Sequence, residues 1–179
     1  MPTQDKQRVA QVTDAIEQSG DVDAVRILGT ARRIMGRPDI KSTFTPEKAQ
    51  RAIQQLRTSL GEDGFQKANA AVDSIVAYNE TLLRELADNG VLAKDAVEEI
   101  IQRNPDYFAR FQVVNKLLES SGRDIFRSGQ SFNLSRQNVV KAMRGMEEGS
   151  ELLDPLESVI KSTDLAMRTI ARNRIWQAM

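Results

Sequence analysis

Apolar residues recur at steps of three and four along most of the chain, which is the period of an amphipathic α-helix. The longest such run without glycine or proline covers residues 65–89 and ends at Asn89-Gly90, a pair that often terminates a helix. We predict that this run forms the central helix of the core. Val91-Leu92 should then pack back on the helix end in a Schellman-type turn.

Three further helices are predicted before the central one. The first two cover residues 5–18 and 22–35 and are separated by Ser19-Gly20-Asp21. The third begins at Thr45-Pro46, which suits an N-cap followed by a first helical residue, and Gly61 should end it. Gly36 is expected to end the second helix as a left-handed cap. The predicted buried face of that second helix contains Val25, Leu28, Ala31 and Met35.

Beyond the central helix the pattern predicts shorter helices over residues 93–103 and 136–147, and another after Asn104-Pro105. Asp154, Pro155 and Glu157 then mark the start of a C-terminal helix, as N-cap, N1 and N3 of a capping-box-like sequence. The periodic face of this helix contains Leu156, Val159, Ile160, Thr163, Met167, Ile170 and Arg174. The helix has no stop signal, so it either continues in a longer chain or frays at its end.

These elements predict an all-α fold, an irregular bundle of about six to eight helices with a long central helix and a long C-terminal helix. The whole chain, 1–179, is expected to form a single helical domain. N-terminal helices occupy 1–60 and core helices occupy 62–148. The capped C-terminal helix lies within 149–179, where it either joins the core or projects as an arm. Low glycine, proline and aromatic contents agree with this class.

The composition excludes several kinds of site. The chain contains no cysteine and no histidine, which removes thiol nucleophiles, thiolate metal sites and the commonest general base. We therefore expect no enzymatic activity, no cofactor and no bound metal. Formal charge is balanced, with 25 basic and 25 acidic residues, so no global field attracts nucleic acid or a membrane. Without a signal peptide or an apolar span, the expected location is the host cytoplasm or the interior of a virion.

Few motifs in the sequence indicate a catalytic or binding site. Ser158 and Lys161 match the S-x-x-K nucleophile motif, but its partner motifs are missing and a short pattern of this kind recurs by chance. Two groups of arginines could grip phosphates. The first is Arg26, Arg32, Arg33 and Arg37, and the second is Arg168, Arg172 and Arg174. A solvated face or pairing with acidic residues is the favoured interpretation of both groups. Together with Trp176, the second group is the predicted interaction surface.

Three stretches resemble a segment of the large polyvalent proteins of bacteriophages and conjugative elements. The first combines AYNETLL at 77–83 with NGVL at 89–92, and the second is NPDYFARFQV at 104–113. The third, the most specific, joins GS and DPLESVIK within 149–161 to ARNR at 171–174. The resemblance covers roughly residues 65–179. It implies a helical connector or scaffold module of a phage or mobile-element protein, and it assigns no chemistry to any residue.

The leading hypothesis is therefore a non-enzymatic scaffold or interaction module that acts by protein–protein contact. Its partner would be a second copy, the remainder of a longer chain, or a host protein. One alternative is a small anti-defence inhibitor that binds a host nuclease or restriction component. The other is a weak nucleic-acid binder through the C-terminal arginines, which predicts binding that falls steeply with salt.

Overall fold

A computed structural model describes residues 3–37, 44–104, 106 and 155–178 of the chain, and every element in these ranges is an α-helix. The first two helices are α1 (Thr3–Ser19) and α2 (Val22–Gly36). They are followed by α3 (Pro46–Asp88), α4 (Lys94–Arg103) and α5 (Pro155–Gln177). The expected all-α class is confirmed for the described part of the chain. The helices predicted after Asn104-Pro105 and over 136–147 lie outside it.

The turn between α1 and α2 forms where the sequence predicts a break. Gly20 has φ of +71°, a conformation that costs residues with a Cβ about 1–2 kcal/mol. Asp21 then caps α2, because its carboxylate accepts a hydrogen bond from the Ala24 N–H at 2.9 Å. Asp is a preferred residue at N-cap positions, which explains this cap, whereas the pattern of apolar residues does not predict it.

The other end of α2 differs from the prediction. Gly36 is the last helical residue and Arg37 is the cap, and Gly36 is not among the described glycines with positive φ. Gly36 is therefore not a left-handed cap. Met35, predicted on the buried face, is 45% exposed, and Ile34 is buried in its place. Periodicity alone cannot fix the rotation of a helix to within one residue, and here α2 turns Ile34 toward α3.

The α3 helix begins as predicted and bends at Gly61. The Thr45 hydroxyl accepts from the Lys48 N–H at 3.4 Å, and Pro46 occupies the first turn. Gly61 has φ 68° and ψ 174°, so it breaks the helix, but the helix resumes at the next residue. Arg57 bridges the bend, since it pairs with Glu62 at 3.5 Å and lies 4.6 Å from the centre of the Phe65 ring.

The turn from α3 to α4 is the predicted Schellman motif. The Val91 N–H donates to the Leu86 carbonyl at 2.8 Å, and the Gly90 N–H donates to the Ala87 carbonyl at 3.0 Å. Gly90 has φ of +70°, as this motif requires at its C′ position. Val91 and Leu86 are both buried, which supplies the apolar contact that accompanies the motif.

The second part of α3 is the element around which the described helices pack. It contributes Phe65, Val72, Ile75, Leu82 and Leu86 to one apolar cluster, which also contains residues of α1, α2, α4 and α5. A smaller cluster of Ala31, Ile34 and Ala49 lies between α2 and the first part of α3. The α5 helix packs against α1, α2 and α3 and adds Val159, Ala166 and Ile170 to the main cluster.

Candidate functional site

The C-terminal helix α5 has a docked face and an open face. The docked face consists of residues that are at most 6% exposed: Val159, Ser162, Thr163, Ala166, Ile170 and Asn173. Half of these side chains are polar. The docked face overlaps the predicted periodic face only in part, because Ile160 and Arg174 are exposed and Met167 is half-buried. Two of the inward-facing polar residues, Thr163 and Asn173, form hydrogen bonds to α3 and its C-terminal turn.

One of these hydrogen bonds joins Tyr78 of α3 to Thr163 of α5 through their hydroxyl groups, both buried. Thr163 also donates to the Val159 carbonyl at 2.7 Å. A threonine hydroxyl has a single proton, so Tyr78 must donate to Thr163 in the same arrangement. The tyrosine thus buries its ring in the core while its hydroxyl fixes the rotation of α5. The neighbouring Ser162 hydroxyl is buried without a hydrogen-bond partner in the described structure.

A second polar contact joins the other end of α5 to the turn after α3. Asn173 is 4% exposed, and its amide nitrogen donates to the Asn89 carbonyl at 2.6 Å. Arg174 donates from Nε to the Asn89 side-chain oxygen at 2.9 Å. The approach is close, since a Cβ on Gly90 would lie 3.2 Å from the amide nitrogen of Gln177. The turn that caps α3 is therefore also the turn against which α5 packs.

The open face of α5 carries most of the predicted interaction surface. Arg168, Arg172 and Trp176 are all exposed and follow one another at intervals of four residues, which places them in one row along the helix. Arg168 pairs with Asp164 at 3.0 Å. Among the described residues, the large apolar side chains that are more than half exposed are Ile160 (52%), Ile175 (61%) and Trp176 (59%), and all belong to α5.

Arg174, which was predicted in the same surface, lies on another flank. A helix turns by about 100° per residue, so Arg174 is separated from Arg172 by about 160° around the axis. Its contact with Asn89 keeps it beside the α3 turn. The structure therefore brings together Arg168, Arg172 and Trp176 and separates Arg174 from them.

The predicted cap of this helix is described in part. Asp154 lies outside the described residues, whereas Pro155 is the first residue of α5 and Glu157 lies in its first turn. The Glu157 carboxylate forms an ion pair with Lys161. Lys161 of the S-x-x-K match is therefore bound to a carboxylate, and the side chain of Ser158 is outside the described part.

The arginines of α2 form contacts within the chain, as the favoured interpretation predicts. Arg32 is partly buried and binds Asp106 and also Asp73, the latter at 2.6 Å. Burial lowers the pKa of the Arg32 guanidinium, but the hydrogen bonds and charges of both carboxylates outweigh it and raise the pKa above its ordinary value. Arg37 binds the side chain of Asn104, which caps α4.

This arginine network ties α2 to α3 and to the end of α4. Arg26 pairs with Asp23 at 2.5 Å in the first turns of α2, and Arg33 is 9% exposed. At least three of the four arginines therefore have acidic or amide partners in the chain and do not present a basic edge. The carboxylate partners of Arg32 and the Asn104 amide bound by Arg37 lie between 41 and 74 positions away in the sequence, so local patterns cannot predict these pairs.

The described residues contain no group of three acidic side chains placed to hold a metal ion. Within the same ranges, none of the helices combines the length and the apolar character that crossing a membrane requires. Comparison with known proteins finds no matching family model, no matching curated protein and no matching solved structure. The functional proposal therefore depends on the geometry of this chain and on the resemblance in its sequence.

Proposed function

We propose that the chain is a non-enzymatic helical module that acts by protein–protein contact, and that the open face of α5 is its contact surface. The observation that carries the proposal is the concentration of exposed Ile160, Ile175 and Trp176 on one helix, beside Arg168 and Arg172. Tryptophan and arginine are the residues that most often dominate binding at interfaces. Large apolar side chains exposed next to charged ones are typical of a surface that a partner covers.

The docking of α5 supports this role because it fixes the orientation of the surface. Tyr78 and Asn89 hold the inner face at two points that are ten residues apart along α5. Thr163 and Asn173 are buried there, whereas Arg168 and Arg172 on the other side of the helix are exposed. A surface held on a docked helix is pre-organised, which reduces the entropy lost on binding.

A non-enzymatic role is supported by the types of residue in the chain and by their contacts. Histidine and cysteine are absent from the sequence. The buried polar side chains Thr163, Asn104 and Asn173 all form hydrogen bonds that stabilise helix ends or helix packing. These contacts are structural and account for the groups that would otherwise be considered for chemistry.

The partner that best fits the surface is a protein with carboxylates beside an apolar pocket. Arg172 has no ionic partner among the described residues, and Arg168 forms an ion pair with Asp164. A nucleic-acid surface would need several unpaired cations in one row. With Arg174 engaged by Asn89 and Arg168 paired, the open face offers one arginine, Arg172, that is unpaired within the described part of the chain.

The attribution of the module to a bacteriophage or mobile element rests on the resemblance of the sequence to polyvalent proteins. We also propose the fuller bundle of about six to eight helices, in which the helices predicted after Asn104-Pro105 and over 136–147 add to the five described. The module would act in the host cytoplasm or within a virion. Its partner would be another virion or mobile-element protein or a component of the host.

The test uses a photoreactive amino acid at position 172 of the full chain, expressed in bacterial cells. Position 174 is the matched control, since it is also exposed but lies on the flank of α5 that contacts Asn89. We expect discrete protein adducts from position 172 that are absent from position 174 and disappear on Trp176→Ala. Adducts with a host nuclease would identify the module as an inhibitor of host defence. Nucleic-acid adducts, or equal labelling from both positions, would overturn the proposal.

A further inference from the structure

We infer that the open face of α5 binds a second copy of this chain in an antiparallel, two-fold symmetric pair. The inference rests on the proposed function, because it names the partner of the same surface. The five residues concerned are Ile160, Asp164, Arg168, Arg172 and Trp176, here called the outer ridge. All five are exposed, and they follow one another at steps of four residues.

The spacing of the outer ridge suits the commonest class of helix packing. Side chains four residues apart form a ridge inclined to the helix axis, and two such ridges become parallel when the helices cross at roughly −50°. The outer ridge extends over 16 residue steps, about 24 Å at 1.5 Å per residue. The outer ridge turns by about 40° around the axis at each step, so two crossing copies of α5 face each other mainly through its central residues, Asp164, Arg168 and Arg172.

The order of residues in the outer ridge is complementary to itself. If Arg168 lies at the symmetry axis, an antiparallel neighbour sets Asp164 of each copy opposite Arg172 of the other. Ile160 and Trp176 each lie about 80° from Arg168 around the axis, so they flank this central contact. In a two-fold pair every contact away from the axis occurs twice, so two ion pairs would form.

The charges at the centre of this pair are already compensated. Each Arg168 is bound to its own Asp164 at 3.0 Å, so the two arginines that meet at the axis do not face each other as isolated cations. Asp164 has side-chain exposure of 56%, which leaves room for a second arginine. Arg172 has no ionic partner among the described residues and is available for this contact.

The net charge of the chain does not oppose association. Formal net charge is zero at pH 7, so two copies experience no long-range repulsion. One pair of helices of this length buries less than the about 800 Å² per partner of a standard interface. We therefore expect a reversible dimer with a dissociation constant on the order of micromolar or weaker.

The experiment measures the mass of the full chain by sedimentation equilibrium from about 1 µM to about 500 µM, a range that brackets weak dimers. Two charge reversals are made separately, Asp164→Arg and Arg172→Asp. Each sets like charges against each other in both symmetric contacts, and we expect each to weaken the dimer at least tenfold. Circular dichroism shows whether each variant retains its helices.

Mixing the two variants gives the decisive result. In a mixed pair the arginine introduced at position 164 faces the aspartate introduced at 172, and the native Asp164 faces the native Arg172. We expect the equimolar mixture to recover the dimer that neither variant forms alone. Asp63→Arg is the matched control, because it breaks the exposed Asp63–Lys67 pair at the same spacing on α3 and should leave the dimer unchanged.

A wild-type chain that is monomeric up to about 500 µM overturns the self-pairing. So do charge reversals without effect, or a mixture that remains monomeric. A monomeric chain that still forms specific protein adducts from position 172 would leave the proposed function standing with another partner. If neither dimers nor adducts form, both proposals are overturned.

Discussion

The contact between Asn173 and Asn89 is where the docking of α5 can be measured most directly. The Asn173 amide nitrogen donates to the Asn89 carbonyl at 2.6 Å, and the Asn173 side chain is 4% exposed. The substitution Asn173→Ala removes the donor and leaves this carbonyl facing α5 without a partner. Asn89 itself is only partly buried, so water can reach the turn from one side.

The expected loss follows from these contacts. Leaving a buried acceptor without its donor costs about 1–3 kcal/mol, and partial access of water places Asn173→Ala in the lower part of that range, at about 1–2 kcal/mol. In a chain of this size each kcal/mol lowers the melting temperature by about 2–4 °C. We therefore expect Asn173→Ala to melt roughly 2–8 °C below the wild type.

The next residue provides the matched control. Arg174 binds the side chain of the same Asn89 at 2.9 Å, but Arg174 itself is exposed. Substitutions at exposed positions usually change stability by less than about 0.5 kcal/mol, and we expect Arg174→Ala to stay within that limit. Asn173→Asp should cost at least as much as Asn173→Ala, since a carboxylate can only accept and would face a carbonyl.

Urea denaturation followed by circular dichroism gives the three free energies of unfolding. Hydrogen exchange of the α5 amides shows whether the loss is local to this helix. The reasoning is refuted if Arg174→Ala costs as much as Asn173→Ala, or if exchange accelerates equally in α2 and α5. Either result would mean that the buried amide does not hold α5 on the turn.

Three further predictions concern the same helix and its neighbours. Thr163→Val should lower the free energy of unfolding by about 1–3 kcal/mol, because the buried Tyr78 hydroxyl loses its acceptor. Ser162→Ala removes a hydroxyl that has no hydrogen-bond partner in the described structure, so it should be neutral or stabilising. Equal losses of stability for the two variants in urea denaturation would contradict this prediction. Gly90→Ala should lower the free energy of unfolding more than Gly20→Ala in the same assay, since both glycines have φ near +70° but only Gly90 lies against α5. Equal losses would mean that α5 does not pack against Gly90. The Asp88 carboxylate of α3 raises the pKa of Lys94 above its ordinary value of 10.5 through a hydrogen bond and its charge. The stabilisation from this contact is therefore complete below pH 10.5 and is lost as the pH rises through the raised pKa of Lys94. Thermal melting should show Lys94→Gln below the wild type at pH 8 and level with it at strongly alkaline pH, and a difference independent of pH would refute the assignment.

Local signals in the sequence predict the ends of several helices. Thr45-Pro46 starts α3, and Asn89-Gly90 ends it with the expected Schellman turn. These signals succeed because the interactions that cap a helix involve residues within one turn of each other. Gly61 is an intermediate case, since its backbone breaks the helix as predicted but the chain resumes the helix immediately.

Predictions that depend on distant partners are less successful. Ile160 and Arg174 belong to the periodic face predicted for α5, yet they are exposed while Ser162 and Asn173 are buried. A pattern of apolar residues favours the apolar side for burial, whereas the orientation here depends on hydroxyl and amide groups about 85 positions away. Arg168, Arg172 and Trp176 share a face as their spacing predicts, because positions along one helix need no knowledge of the rest of the fold.

The central claim is that α5 docks through its polar face and presents Trp176 outward. Trp176 is the single tryptophan of the chain, and it is 59% exposed, while Tyr78 is 7% exposed beneath α5. Hydroxyl-radical footprinting of the dilute, folded chain measures the solvent exposure of both aromatic side chains in one experiment. We predict rapid oxidation of Trp176 and strong protection of Tyr78 relative to the unfolded chain. Protection of Trp176 together with rapid oxidation of Tyr78 would contradict the claim.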